Sequence, residues 1–150
     1  MPKPCPCTSG LAYAACCGPY HRGAEPQTPT ALMRSRFAAY ALADVEYILR
    51  TLHPDHEDRR LPREEVVRSL RDAARSYKYM RLTILDAQGD RVLFLAGVFE
   101  KGRDRSFAEL SRFARDADGW RYVSGELRPA DEVTRSGTVT IDAWEVAFGA

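Results

Sequence analysis

The residues best placed to do chemistry stand at the start of this chain, where Cys5-Pro6-Cys7 and Cys16-Cys17 hold all four of its cysteines. Two thiol pairs joined by a short polar loop match the donor set of a tetrahedral zinc site, in which four thiolates close around one Zn²⁺ at about 2.3 Å each. So short a segment buries too little apolar surface to stay ordered unaided, and metal ligation supplies that free energy. Disulfides are disfavoured, because Cys16 and Cys17 are adjacent and Cys5 and Cys7 nearly so, which makes short strained rings. Met1-Pro2-Lys3-Pro4 has no apolar secretory run, so the expected compartment is the reducing cytoplasm. A redox pair more often reads C-x-x-C at a helix start. Redox sensing and incidental thiols stay open beside the preferred reading, zinc held by Cys5, Cys7, Cys16 and Cys17. His21 is a spare ligand by position, but with four thiols present it reads as a solvated loop histidine.

A second candidate lies far along the chain. In the stretch Ser106 to Arg115, strand alternation puts Phe107, Glu109, Ser111 and Phe113 on one face and Leu110 and Arg112 on the other. Trp120 and Tyr122 alternate in the same way on the next stretch. A carboxylate among aromatics has a raised pKa and suits general acid or base work. The plainer reading pairs Glu109 with Arg34, Arg36 or Arg81 as a buried ion pair. His53, before Pro54, is a weak catalytic candidate and more simply a helix-end cap. His56 reads as solvated. Arg34 and Arg36 are two apart on a helix, so they point different ways and form no single anion clamp.

The elements that must position these residues follow from the patterning. Pro19 to Pro29 is a polar, proline-bearing linker. Thr30 reads as the cap of a helix over Ala31 to Ala43, with Leu32, Phe37, Tyr40 and Ala41 on one face. Asp44 caps a second helix, Val45 to Leu52, stopped at His53-Pro54. Asp55 to Arg60 is a charged loop, and Leu61-Pro62 opens a third helix with Val66, Val67, Leu70 and Ala74 inward. The period then changes to that of strands: Tyr79 to Leu85, Val92 to Phe99, Ser106 to Arg115 and Trp120 to Gly125. Helices followed by an antiparallel meander define an α+β fold, three helices packed on a curved antiparallel sheet. The tail residues Val139, Ile141, Trp144, Val146 and Phe148 alternate, which suits an added strand or the cover of a homodimer face. The expected organisation is a zinc module over 1–23, a linker over 24–29 and an α+β domain over 30–150.

Two stretches resemble known families. Cys5-Pro6-Cys7-Thr8-Ser9-Gly10-Leu11, with Tyr13 and then Cys16-Cys17-Gly18, resembles the SEC-C motif, a small zinc module also found at the end of the bacterial preprotein translocase ATPase. Thr8 replaces the usual glycine, and Ala14-Ala15 replace lysines that make the motif basic. Pro29, Leu32-Met33-Arg34-Ser35-Arg36-Phe37 and Tyr40, then Asp44-Val45, Tyr47-Ile48, Thr51 and His53-Pro54, resemble the YchJ family. So do Glu109, Ser111-Arg112-Phe113 and Gly119-Trp120. This resemblance implies a SEC-C module joined to a cone-shaped nuclear transport factor 2-like domain. Many such proteins carry a second SEC-C module at the carboxyl end, and Ser136 to Ala150 contains no cysteine.

Composition narrows the function. With 22 basic against 21 acidic residues and a net charge of +1, interspersed, no strong nucleic-acid field arises. No apolar run approaches the ~20 residues that cross a membrane. The preferred function is a non-enzymatic binding module with structural zinc, docking a protein or ribonucleoprotein partner through Leu11, Tyr13 and Tyr20. The alternative is a small-molecule binder, or a hydrolase- or isomerase-like enzyme, using the cone interior. Ketosteroid isomerases and scytalone dehydratase do so on the similar fold, an analogy of fold alone. The absence of a matched His–carboxylate dyad places the enzyme second.

Overall fold

The computed structural model describes residues 2–149. A short turn of 3₁₀ helix at Tyr13–Ala15 and the four-residue helix α1 (Gly18–His21) close the cysteine loop. Three helices follow: α2 (Pro29–Leu42), α3 (Val45–Arg50) and α4 (Arg63–Ser76). The strands are β1 (Lys78–Gln88), β2 (Arg91–Glu100), the two-residue β3 (Arg103–Asp104), β4 (Phe107–Asp116) and β5 (Gly119–Pro129). Two helices end the described chain, α5 (Ala130–Ser136) and α6 (Ile141–Phe148). The sheet is an antiparallel meander in the order β1-β2-β4-β5, with β3 paired to β2.

Local chemistry sets the helix starts. The cap of α2 is Thr28, not Thr30: its hydroxyl accepts from the Ala31 N–H at 3.1 Å, and Pro29 sits in the first turn, where a missing N–H leaves no bond unmade. Asp44 caps α3 as expected, accepting from the Tyr47 N–H. The charged stretch after His53 is not all loop, because Glu57–Arg60 forms a 3₁₀ turn.

The sheet curves because its ladders slip. Register shifts interrupt β1–β2 between Tyr79 and Arg81 and between Ile84 and Asp86, and β4–β5 at Arg112/Phe113. An extra residue on one strand bends it and increases its twist. The concave face packs on α2 through Leu32, Met33, Phe37, Leu82, Phe94, Val98 and Phe113.

The convex face differs from expectation. The tail after β5 is not a strand: it folds into α5 and α6, which bury Val133, Ile141 and Trp144 against Leu93, Ala108 and Leu110. Alternating Val139, Ile141, Val146 and Phe148 do not decide the period, because Trp144 and Phe148 also lie four apart on a helix face. Val146 points away, 88% exposed. Asp86 accepts from the Ile141 N–H at 2.7 Å, and Arg91 pairs with Glu145, so β1 and β2 anchor the first and second turns of α6. No helix among the described residues is long and apolar enough to cross a membrane.

The stretch between the cysteine loop and α2 lies on the domain surface. Pro26 is buried, and Glu25 bridges Arg121 at 2.8 Å and Arg50 at 3.2 Å.

Candidate metal centre and sheet cavity

The four cysteine sulfurs lie within 4.8 Å of one another. Cys7 and Cys16 are 3.6 Å apart and Cys16 and Cys17 3.9 Å. A tetrahedral four-thiolate site with bonds of about 2.3 Å has edges of about 3.8 Å, so these separations fit a metal ion held by the four cysteines. They far exceed the ~2.05 Å of a disulfide, and all four thiols are free. The loop is shaped by Thr8 and Gly10, both at positive φ (61° and 90°), and by the Cys5 N–H donating to the Leu11 carbonyl at 2.9 Å. The Cys17 thiol and then Ser9 hold Cys7 down at about 4, while the same Cys7 contact and burial push Cys17 far up. Four thiols this close cannot all ionise without a positive charge among them. A four-thiolate site leaves no open coordination position, so a bound zinc would be a structural staple.

His21 is neither ligand nor solvated, and the expectation of a loop histidine is corrected. Its side chain is 4% exposed. Nε2 meets the Ser35 carbonyl at 2.8 Å, which only accepts, so Nε2 carries a proton, and Nδ1 shares a hydrogen bond with the Tyr13 hydroxyl at 2.7 Å. The ring leans on Tyr47, 4.7 Å between centroids. The histidine therefore ties the cysteine loop to α2. Cys5, Cys7 and Cys17 pack on Ala38 of the same helix. The Thr8 hydroxyl takes the Leu82 N–H at 3.0 Å and donates to the Leu82 carbonyl at 3.2 Å, docking the loop on β1. Tyr13 and Tyr20 are consequently half-buried, and Leu11, 56% exposed, is the apolar side chain this module leaves open.

Between α2 and the concave face lies a cavity of ≈ 500 Å³. Its wall includes Phe37, Tyr40, Tyr79, Phe94, Phe107 and Tyr122, with Arg36 and Glu109 as buried charged groups and Arg105 as an exposed one. Glu109 was expected either as a pocket carboxyl or as the partner of Arg34, Arg36 or Arg81. The ion pair is not formed. Its Oε2 instead accepts from the Ser111 hydroxyl and from the Tyr122 hydroxyl at 2.9 Å. Burial raises its pKa; the two hydroxyl bonds and the more distant Arg36 only moderate that shift. Gly125, opposite Ser111, makes room for this carboxyl, since a Cβ there would overlap both Glu109 and the Tyr122 hydroxyl.

Arg36 is not bonded to Glu109. Its Nη1 donates to the Ile48 carbonyl at 2.9 Å and the Thr51 hydroxyl at 2.6 Å, and its guanidinium lies 4.6 Å from the Tyr122 ring centre. Arg34 is not part of the cavity wall. Neither is His53, whose Nδ1 accepts from the Asp55 N–H and whose backbone N–H donates to Tyr122. His56 is not solvated: it packs 5.7 Å from the Tyr122 ring, in a smaller cavity of ≈ 210 Å³ behind Arg36 and Tyr40, and burial lowers its pKa. Sequence reasoning missed Tyr40 and Tyr79 as cavity residues, and Gly125 as the gap that admits the Glu109 carboxyl. A glycine inside a strand marks close approach of another group, and that signal was present at Gly125.

A cone-shaped sheet domain carrying a four-cysteine knuckle at its amino end is the class of protein that these features define. Residues 28–125 match the family model described as YchJ, middle NTF2-like domain, and residues 1–19 match the SEC-C motif. The chain belongs to the YchJ family. A UPF0225 protein of Deinococcus radiodurans is 45% identical to it over 81% of this chain and 87% of that one. A UPF0225 protein of Serratia proteamaculans is 37% identical, over 83% and 84%. The solution structure of RPA3114, a SEC-C motif containing protein from Rhodopseudomonas palustris, is 36% identical, with a TM-score of 0.68 over 84% of this chain and 98% of that one. A crystal structure of a SEC-C motif containing protein from Psychrobacter arcticus, 22% identical, shares the fold at a TM-score of 0.63 over 80% of each chain.

Proposed function

We propose that this protein is a zinc-stapled, non-enzymatic binding protein, whose ligand is a small molecule held in the cavity between α2 and the sheet. Zinc sits on Cys5, Cys7, Cys16 and Cys17 and holds the knuckle against α2 and β1. The carrying observation is the ≈ 500 Å³ cavity itself, apolar and aromatic with a few polar groups in its wall, which is how small-molecule sites are built. The knuckle is the poorer docking surface, because its tyrosines are half-buried and Leu11 is its one large exposed apolar side chain among the described residues. Binding is favoured over catalysis because the hydrogen-bond partners of Glu109 among the described residues are the hydroxyls of Ser111 and Tyr122, burial pushes the Tyr122 phenol further from ionising, and the cavity wall holds no histidine. Free thiols and a zinc staple suit a reducing cytoplasm.

Native mass spectrometry of the purified protein is expected to show one zinc per chain, released when the thiols are alkylated. Prodan, an uncharged naphthalene dye, is expected to bind one to one with a blue-shifted emission. Val98→Phe, which fills the cavity, is expected to abolish that signal while leaving the zinc in place. A chain without zinc overturns the first half of the proposal, and an absence of saturable dye binding overturns the second.

A further inference from the structure

Arg36 is the group in the cavity wall that the fold leaves incompletely matched. The residue is 4% exposed. Only Nη1 is used, on Ile48 and Thr51, and among the described residues no protein acceptor takes Nε or Nη2 and no carboxylate stands within ion-pair distance. The fully buried side-chain atom without a partner among the described residues is Arg34 Nη1, outside this wall, so Arg36 Nε and Nη2 are open to cavity space, where an anion would gain charge-assisted bonds from them. Glu109, on the same wall, does not serve. Its Oε2 is taken by two hydroxyl donors and its Oε1 has no protein partner. Burial favours the protonated form of this carboxyl, which weakens its competition with an anionic ligand. Arg105, the other cation of the wall, lies 3.5 Å from Glu100 and is largely exposed. The remaining wall is aromatic or aliphatic: Phe37, Tyr79, Phe94, Val98 and Phe107 offer apolar surface of a size to cover a ring system.

We infer that the cavity takes an apolar organic acid, its carboxylate against Arg36 and Glu109 Oε1 and its hydrocarbon body along the aromatic wall. This rests on the small-molecule reading of the cavity and adds the charge of the ligand. Planar, forked donors suit a carboxylate, and a guanidinium keeps its charge at every working pH. A cationic ligand would meet Arg36 unshielded. The smaller cavity behind Arg36 is the less suitable anion site, because Asp58 stands in its wall.

The test is a titration of the full-length zinc-loaded protein with three matched probes: 2-naphthylacetate, 2-naphthylacetamide and 2-naphthylethylamine. The acetate is expected to bind at least ~10-fold more tightly than the amide, with the amine weakest. The Arg36 Nε–H resonance is expected to move only with the acetate. Arg36→Lys is expected to keep a preference for the acetate, and Arg36→Met to bring the acetate down to the affinity of the amide. Arg36→Met also loses bonds to Ile48 and Thr51 and risks the fold, so the wild-type probe series and the Nε–H signal decide the matter without it. Equal binding of acetate and amide, or preference for the amine, overturns the inference and leaves the cavity reading standing. If no naphthyl probe binds, the inference falls; if Prodan fails as well, the cavity reading falls with it.

Discussion

Glu109 shows what a single buried group can reveal. Its partners are two hydroxyls, so burial dominates and its folded pKa lies above the unfolded value of 4.5. Below 4.5 both states hold the proton and the group has no effect on stability. As pH rises from 4.5 towards the folded pKa, the unfolded chain releases the proton first. Stability then falls by about 1.4 kcal/mol per pH unit until the folded group also ionises. Glu109→Gln removes this dependence. The variant is expected to melt close to wild type at pH 4 and above it at pH 7, by roughly 2–4 °C for each kcal/mol. Differential scanning calorimetry across that range decides, and a variant less stable at every pH would restore the ion pair. Thr8 illustrates a different balance. A left-handed conformation costs a non-glycine residue about 1–3 kcal/mol, which explains why the SEC-C pattern prefers glycine there. Here the hydroxyl offsets that cost with two hydrogen bonds to Leu82, available to threonine and not to glycine.

Among the elements, α6 has the most ambiguous sequence pattern. Its apolar residues fit both a strand and a short helix, and an eight-residue segment carries too few turns to separate the periods. Contacts elsewhere decided it: Asp86 meets its first turn, Arg91 reaches Glu145, and Glu126 accepts from the Trp144 indole at 2.9 Å. Trp144→Ala is expected to cost about 3–5 kcal/mol, read by chemical denaturation, because it empties the layer over Leu93 and Leu110. A cost under ~1 kcal/mol would mean that the convex face is covered some other way. The bulge at Arg112/Phe113 was equally invisible. It shifts the alternation of β5, so that Tyr122 and Leu127 line the cavity while Glu126 faces α6. The hairpins were easier, since Gly89, Gly102 and Gly119 all take positive φ at the turns that their neighbours announce.

For the whole molecule, the question is how far the knuckle and the sheet domain stand together. Tyr13, His21 and Ser35 form one chain of hydrogen bonds, and Thr8 and Leu82 a second. The sheet retains two cores of its own, on its concave and convex faces. Cys16→Ser is therefore expected to lose the metal, keep the far-ultraviolet spectrum of the sheet, and lower the melting temperature. Amide exchange is expected to quicken at Leu82 and along α2. Complete unfolding at 25 °C would show that the sheet domain cannot stand without the staple. The sequence by itself determined the cysteine set, the order of helices before strands and the aromatic face bearing Glu109, because these depend on residue type, spacing and period along the chain. Only the tertiary structure decided that His21 is a buried strut, that Glu109 is not ion-paired, that the tail is helical and that Arg36 is left without a counter-ion. Each of those depends on which distant groups arrive within hydrogen-bond distance, and a linear pattern does not carry that information.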